Sequence, residues 1–167
     1  MGERILRVKP LTPAAFGPFG EVIETAGHEA VWINERTSQR YNDLARVDVQ
    51  EAGGTPLISI FRALPRPMPL AVQRLERHPL SSQAFYPLER RPFLVIVAEA
   101  GSEPLAERLQ AFLASGFQGV NYRRNTWHHS LIALEQPCDF LVVDRGGPEA
   151  NCEEQAVLGD RVLVKLS

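Results

Sequence analysis

The sequence predicts an all-β fold, a closed barrel or two-sheet sandwich with one or two short helices. Short runs rich in β-branched and aromatic residues recur along the chain, each bounded by Gly, Pro or polar residues. Only one segment carries an extended helical spacing of apolar residues. The 13 prolines are spread along the chain rather than gathered in a linker, so the 167 residues are read as one domain, 1–167. A doubly wound sheet is excluded, because its parallel strands need helical crossovers that this pattern lacks.

The elements follow in order. LTPAAFGPFG reads as a one-turn helix, with Thr12 as N-cap, Pro13 at the first helical position and Gly17 as the stop. The expected strand runs are GEVIET, ARVDV, PLISIFRAL, MPLAVQRLERH, QAFYPL, PFLVIVAEA, TWHHSLIAL, CDFLVVD and RVLVKL. SEPLAERLQAFLASG places Leu105, Leu109, Phe112 and Leu113 at helical intervals, with Gly116 as a C-terminal stop, and is the one convincing helix. In DRGGPEANCEE, Gly146 and Gly147 read as a hairpin turn, with Glu153 and Glu154 on the return. A phosphate-binding loop would need a helix N-terminus after it, and none follows.

Composition narrows the function classes. Hydrophobic content of 44%, 23% charged residues and a net charge of −2 describe an ordinary globular domain with no field to draw nucleic acid or an anionic membrane. A chain of this length buries about 70% of its extended surface, enough for a sizeable core. No apolar run approaches the roughly 20 residues of a membrane helix, and MGERILRVKP lacks the apolar region of a signal peptide, so a cytoplasmic location is expected. Cys138 and Cys152 form no CxxC pattern and are read as reduced thiols.

The stretch NYRRNTWHHSLIAL holds two of the four histidines. On a regular strand His128 and His129 point to opposite faces, so one looks into a cavity and its neighbour outward. Both faces continue apolar, and periodicity does not choose between them. In RHPLSSQAFYPLERRPFLVIVA, His78 and Gln83 could meet across a bend. Imidazoles with a neutral amide oxygen form a possible divalent-metal shell, against the alternative of surface or hydrogen-bonded strand histidines. His28, in the polar loop TAGHEA, is expected at the surface.

The His78 stretch and NTWH ending at His128 resemble two degenerate halves of a cupin signature. More specifically, INERTSQRYNDLA, LERHPLSSQAFYPL, FLVIVA, QAFLASG, GVNYRRNTWHHSLIAL and FLVVDRGGPEANCEE resemble, in order, the ureidoglycolate lyase (ureidoglycolate hydrolase) family of allantoin degradation. Three departures stand out. Asn125 occupies a position usually held by glycine, and asparagine tolerates a left-handed backbone best among the substitutes. Gln83 stands for the cupin glutamate, which lowers the charge offered to a cation, and Glu76 stands where the first cupin histidine would be. Glu76 is read either as a ligand or as a solvated strand carboxylate.

The resemblance implies cleavage of (S)-ureidoglycolate to glyoxylate and urea, a homodimer, no organic cofactor, and a divalent metal, nickel being the usual association. On that substrate His78, Gln83 and His128 are the expected catalytic or metal-binding residues. Arg40 and Arg123 are the candidate carboxylate forks, and Gln39, Ser82, Asn121 and Tyr122 the candidate partners of the ureido group. His129 is assigned to the outer face or to support. Two rival functions stay open: an amidohydrolase that releases ammonia from the ureido group, and a non-catalytic small-molecule binding module.

Overall fold

The molecule, a computed structural model, is described for residues 1–101 and 103–166. Its strands in chain order begin with β1 (Glu3–Leu6), β2 (Val8–Pro10), β3 (Gly20–Ile23), β4 (Val31–Ile33), β5 (Ser38–Arg40) and β6 (Thr55–Ala63). The middle of the chain forms β7 (Leu70–Val72), β8 (Arg74–Arg77), β9 (Gln83–Pro87), β10 (Phe93–Ala98), β11 (Gln110–Ala114) and β12 (Gly119–Tyr122). The last third adds β13 (Trp127–His128), β14 (Ile132–Ala133), β15 (Cys138–Gly146), β16 (Glu153–Ala156) and β17 (Arg161–Val164).

These strands make a seven-stranded sheet in the order β16-β8-β13-β10-β11-β2, with β14 also on β10, and a five-stranded sheet in the order β3-β12-β9-β15-β6. A three-stranded sheet, β1-β17-β7, and the hairpin β4-β5 complete the set. Strand β10 explains the layering. Phe93, Val95 and Val97 enter a core with Phe85, Val120, Phe140 and Val142 of the five-stranded sheet. Leu94, Ile96 and Ala98 enter a second core with Leu6, Leu70, Val72, Val162 and Val164 of the three-stranded sheet. The run FLVIVA is apolar at every position because both faces of this central strand are buried.

The all-β expectation holds, as does the first short helix, α1 (Pro13–Phe16). Thr12 Oγ1 accepts from the Ala15 amide at 3.2 Å, and Gly17 caps the C-terminus. Phe16, fully buried, meets Phe112 edge-on at 5.7 Å.

The helix expected from SEPLAERLQAFLASG is not there; its first residue, Ser102, lies outside the described residues. Ala106–Arg108 makes one 3-10 turn, and Gln110–Ala114 is β11, paired with β10 from Phe93↔Ala114 to Val97↔Gln110. The cause is packing on both sides: Phe112 and Ala114 enter one core, Leu109 and Ala111 the other, and apolar residues on both faces imitate helical spacing.

ARVDV is likewise no strand. Its backbone is satisfied by side chains instead of a ladder: Glu21 accepts from Arg46 N at 2.7 Å, Asn121 donates to Arg46 O at 2.8 Å, and Ser82 Oγ accepts from Asp48 N at 2.9 Å. MPLAVQRLERH divides into β7 and β8, which belong to different sheets, and TWHHSLIAL divides into β13 and β14. Gly146 and Gly147 do not close a hairpin, since β15 pairs with β6 and β9 while β16 pairs with β8. The glycines lie where the chain leaves one sheet for the other.

The strand at Gln110–Ala114 makes a distinguishing prediction. Phe112→Ala should cost about 3–5 kcal/mol in urea unfolding, whereas Leu113→Ser, on the opposite and 37% exposed side of β11, should cost less than about 1 kcal/mol. Equal losses at the two positions would instead fit a helical face.

Candidate active site

Alternation on β13 separates its two residues. Trp127 enters the core against the three-stranded sheet, so His128 turns toward the five-stranded sheet. There it borders a cavity of about 420 Å³, walled by Phe61, Phe85, Leu131 and Tyr122 and carrying Glu76, His129 and Ser130. His128 is 2% exposed and Glu76 stands directly across from it in the β13–β8 pairing. Tyr122 stacks on the His128 ring at 4.2 Å and 12°, holding its plane, and burial pushes the phenol pKa up so that the ring stays neutral.

The approach to β13 is a turn in which Asn125 has φ 67°, the left-handed conformation that asparagine tolerates. Its amide donates to the His78 carbonyl at 3.1 Å, which ties the two histidine segments together. The rings of His78 and His128 lie 5.0 Å apart.

Hydrogen bonds define the imidazole states. His128 Nδ1 lies 3.0 Å from the Thr126 carbonyl, a pure acceptor, so Nδ1 carries the proton. In the neutral ring Nε2 then holds a lone pair; it is buried with no hydrogen-bond partner and lies 3.6 Å from Glu76 Oε1. Two electron-rich atoms facing one another call for a proton or a cation between them. His128, which can donate to Glu76 only when its Nε2 carries a proton, holds the Glu76 carboxyl below its usual range despite its burial. Burial, followed by the nearby His128, lowers the His78 pKa, and burial lowers that of His129.

The donor atoms of Glu76, His78 and His128 all lie within 4.8 Å of one another, a set that suits a divalent transition metal. His128 Nε2 and Glu76 Oε1 are free to bind, Glu76 Oε2 accepting from Cys152 Sγ at 3.6 Å, whereas both ring nitrogens of His78 are engaged: Nδ1 with the Asn151 carbonyl at 2.7 Å and Nε2 with Gln83 Oε1 at 2.8 Å. His78 would join such a shell by exchanging one of these contacts. Gln83, 6% exposed, directs its amide oxygen at His78 rather than into the cavity.

The structure thus gathers His78, Gln83, His128 and Tyr122, and Glu76 with them. It does not bring Arg40, Gln39 or Arg123 to the cavity of the same chain. Gln39 and Arg40 are exposed on the β4-β5 hairpin, and Arg123 is exposed, its Nη1 donating to the Gly17 and Pro18 carbonyls. Ser82 and Asn121 are buried but bond the Asp48 and Arg46 backbone. His129 is not on the outer face: β13 ends at His128, and His129 borders the same cavity. His28 is exposed, and both cysteines are free thiols. The legible sign for Glu76 was its place two residues before His78, which puts both on one face of an extended chain.

Fold and site together define an all-β protein with a carboxylate–imidazole centre set in a mostly apolar cavity, an arrangement suited to proton transfer on a small polar molecule. A family model described as ureidoglycolate lyase matches residues 3–165. Three relatives bearing that name are similar along most of their length. The one from Brucella anthropi is 55% identical over 92% of this chain and 90% of its own. That from Burkholderia mallei is 53% identical over 91% and 89%, and that from Pseudomonas aeruginosa 48% over 96% and 95%. The chain belongs to the ureidoglycolate lyase family.

The lowered values at His78 and His129 carry a pH dependence. The folded state favours the neutral rings, so the unfolded chain takes up protons first on acidification; their contribution is present above the ordinary histidine value of 6.5 and lost as pH falls through the depressed folded values. Glu76, also depressed, contributes above 4.5 and is lost below that. Thermal melts across this range should therefore show Tm falling with acidification in two stages. A Tm that rises between neutral pH and 4.5 would contradict the assignment.

Proposed function

We infer that the protein is a ureidoglycolate lyase, cleaving (S)-ureidoglycolate to glyoxylate and urea in allantoin and purine-nitrogen breakdown. The observation that carries this reading is the unpartnered, buried lone pair of His128 Nε2 facing Glu76 in the cavity. It is joined by the name shared by relatives at about half identity over nearly the full chain.

The chemistry asks for one proton to be moved. The carbinol hydroxyl gives its proton to His128 Nε2, the oxygen closes to an aldehyde carbonyl, and the bond to the ureido nitrogen breaks. The imidazolium formed sits beside the Glu76 carboxylate, which stabilises it, and returns the proton to the departing nitrogen, giving urea. Tyr122 keeps the ring in one plane during both transfers. Phe61 and Phe85 present apolar surface that excludes water and strengthens the Glu76–His128 attraction. A divalent ion held by Glu76, His78 and His128, nickel by family resemblance, would supply Lewis acidity toward the hydroxyl and carboxylate oxygens.

A homodimer in the cytoplasm belongs to the same reading. Strand β6 is the edge of its sheet, and Leu57, Ile58, Ile60 and Leu64 are exposed there beside Phe61 of the cavity. Covering that edge with a second copy removes its unpaired backbone groups and exposed apolar side chains from water and narrows the cavity mouth. Light scattering on the purified chain should return twice the monomer mass, and a monomer would remove this part of the reading.

Incubation with racemic ureidoglycolate, with and without chelator, tests the activity. Urea and glyoxylate are expected in equal amounts; ammonia without urea would point to an amidohydrolase, and saturable binding without turnover to a binding module. His128→Ala should lose at least about 100-fold in kcat with its melting transition retained. Activity near normal in that variant would take His128 out of the mechanism.

A further inference from the structure

The segment from Asp144 to Asn151, rich in glycine and acids, has no part in the mechanism above, yet it reaches His78 from both sides. His78 follows the last residue of β8, so no strand ladder fixes its ring. One side of the ring meets the segment directly, with Nδ1 2.7 Å from the Asn151 carbonyl. The other meets it through an amide: Nε2 lies 2.8 Å from Gln83 Oε1, and Gln83 Nε2 donates to Asp144 Oδ2 at 3.1 Å. The two ends of an amide have opposite roles, and an ionised carboxylate only accepts. Asp144 therefore takes the NH₂ end and leaves the oxygen facing His78, whose ring donates to one of its two oxygen neighbours when neutral and to both when protonated.

Asn151 is itself held. Its Oδ1 accepts from Leu80 N at 2.7 Å and its Nδ2 donates to Ser81 Oγ at 2.8 Å, both on the connection between His78 and Gln83. Between the two contacts Arg145, 8% exposed, donates to the carbonyls of Glu51, Ala52 and Pro148, which pins the segment to the neighbouring loop. Gly147, at φ 142°, permits the approach: a Cβ there would stand 3.1 Å from Gly54 Cα.

We propose that Asp144 and Asn151 are positioning residues that clamp the His78 imidazole between them, Asn151 directly and Asp144 by orienting the Gln83 amide. The clamp sets the spacing of His78 from His128 and Glu76, the set that would hold a divalent ion, and its effect on turnover rests on the lyase reading. Neither residue borders the cavity, so their loss acts on the rate through His78 rather than on substrate affinity.

The test uses the full chain and two readouts, ring-nitrogen NMR of the substrate-free protein and steady-state urea release. Asp144→Leu keeps the approximate shape and removes the acceptor; Asp144→Asn keeps an acceptor oxygen. The Leu variant should move the His78 ring resonances while the exposed His28 stays in place, and lower kcat about 10–100-fold with KM changed less than about threefold. The Asn variant should preserve both. Unmoved His78 resonances, an unchanged kcat in the Leu variant, or an Asn variant as impaired as Leu would each overturn the proposal. Should Asp144→Leu fail to fold, Asn151→Ala against Asn151→Asp, which keeps the acceptor for Leu80 N, applies the same criteria. A wild-type protein that releases no urea removes the lyase reading, and the resonances alone then judge the clamp.

Discussion

Strand β10 is buried on both faces, and this constraint organises the molecule around it. Phe93, Val95 and Val97 point into one core and Leu94, Ile96 and Ala98 into the other, so its sheet becomes the middle layer between two others. A strand beside it inherits two buried faces and must divide its side chains between them. On β13 that division sends Trp127 one way and His128 the other, and the side to which His128 turns is the one with a cavity. The position of the imidazole is thus a packing consequence of a neighbouring apolar strand. It does not depend on any loop that could wander.

Polar groups in this middle layer have few places to go. His128 satisfies Nδ1 through the Thr126 carbonyl and leaves Nε2 without a hydrogen bond, at a cost of about 1–3 kcal/mol for a buried unmet group. An uncompensated polar atom deep in a well-packed domain is where chemistry is sought. Around it the other groups come from strand ends and connections: Glu76 across the ladder, His78 just past β8, Gln83 at the start of β9. Glu76 takes the His128 side by alternation, Leu75 before it entering the other core, while His78 lies beyond the ladder. Two separate sheets therefore supply one polar cluster.

Legibility in the sequence followed the same physics. The runs FLVIVA and CDFLVVD were readable as strands because their composition admits little else, and Thr12-Pro13 with Gly17 marked α1 through local capping chemistry. Segment 102–116 misled because Leu109, Phe112 and Leu113 fit a helical stripe as well as they fit a strand with two buried faces. Arg40 and Arg123 carry the charge that a carboxylate wants, but charge identifies a chemistry and not a place. Both are exposed away from the cavity of their own chain. Asp144 and Asn151 carried no signal, since their contacts with Gln83 and His78 span 61 and 73 residues.

What the amino-acid order determined by itself was local: where β-formers accumulate, where a turn tolerates φ above zero, that the chain is all-β, and through a run of matching words, the family. Those properties depend on side chains within a few positions of one another and survive in any surroundings. The tertiary structure alone decided which imidazole looks inward, that Glu76 faces His128, and that the oxygen of Gln83 is turned to His78 by a carboxylate far along the chain. Each of these is a contact between segments joined only by sheet pairing, and a single chain without its folded partners holds no distance between them.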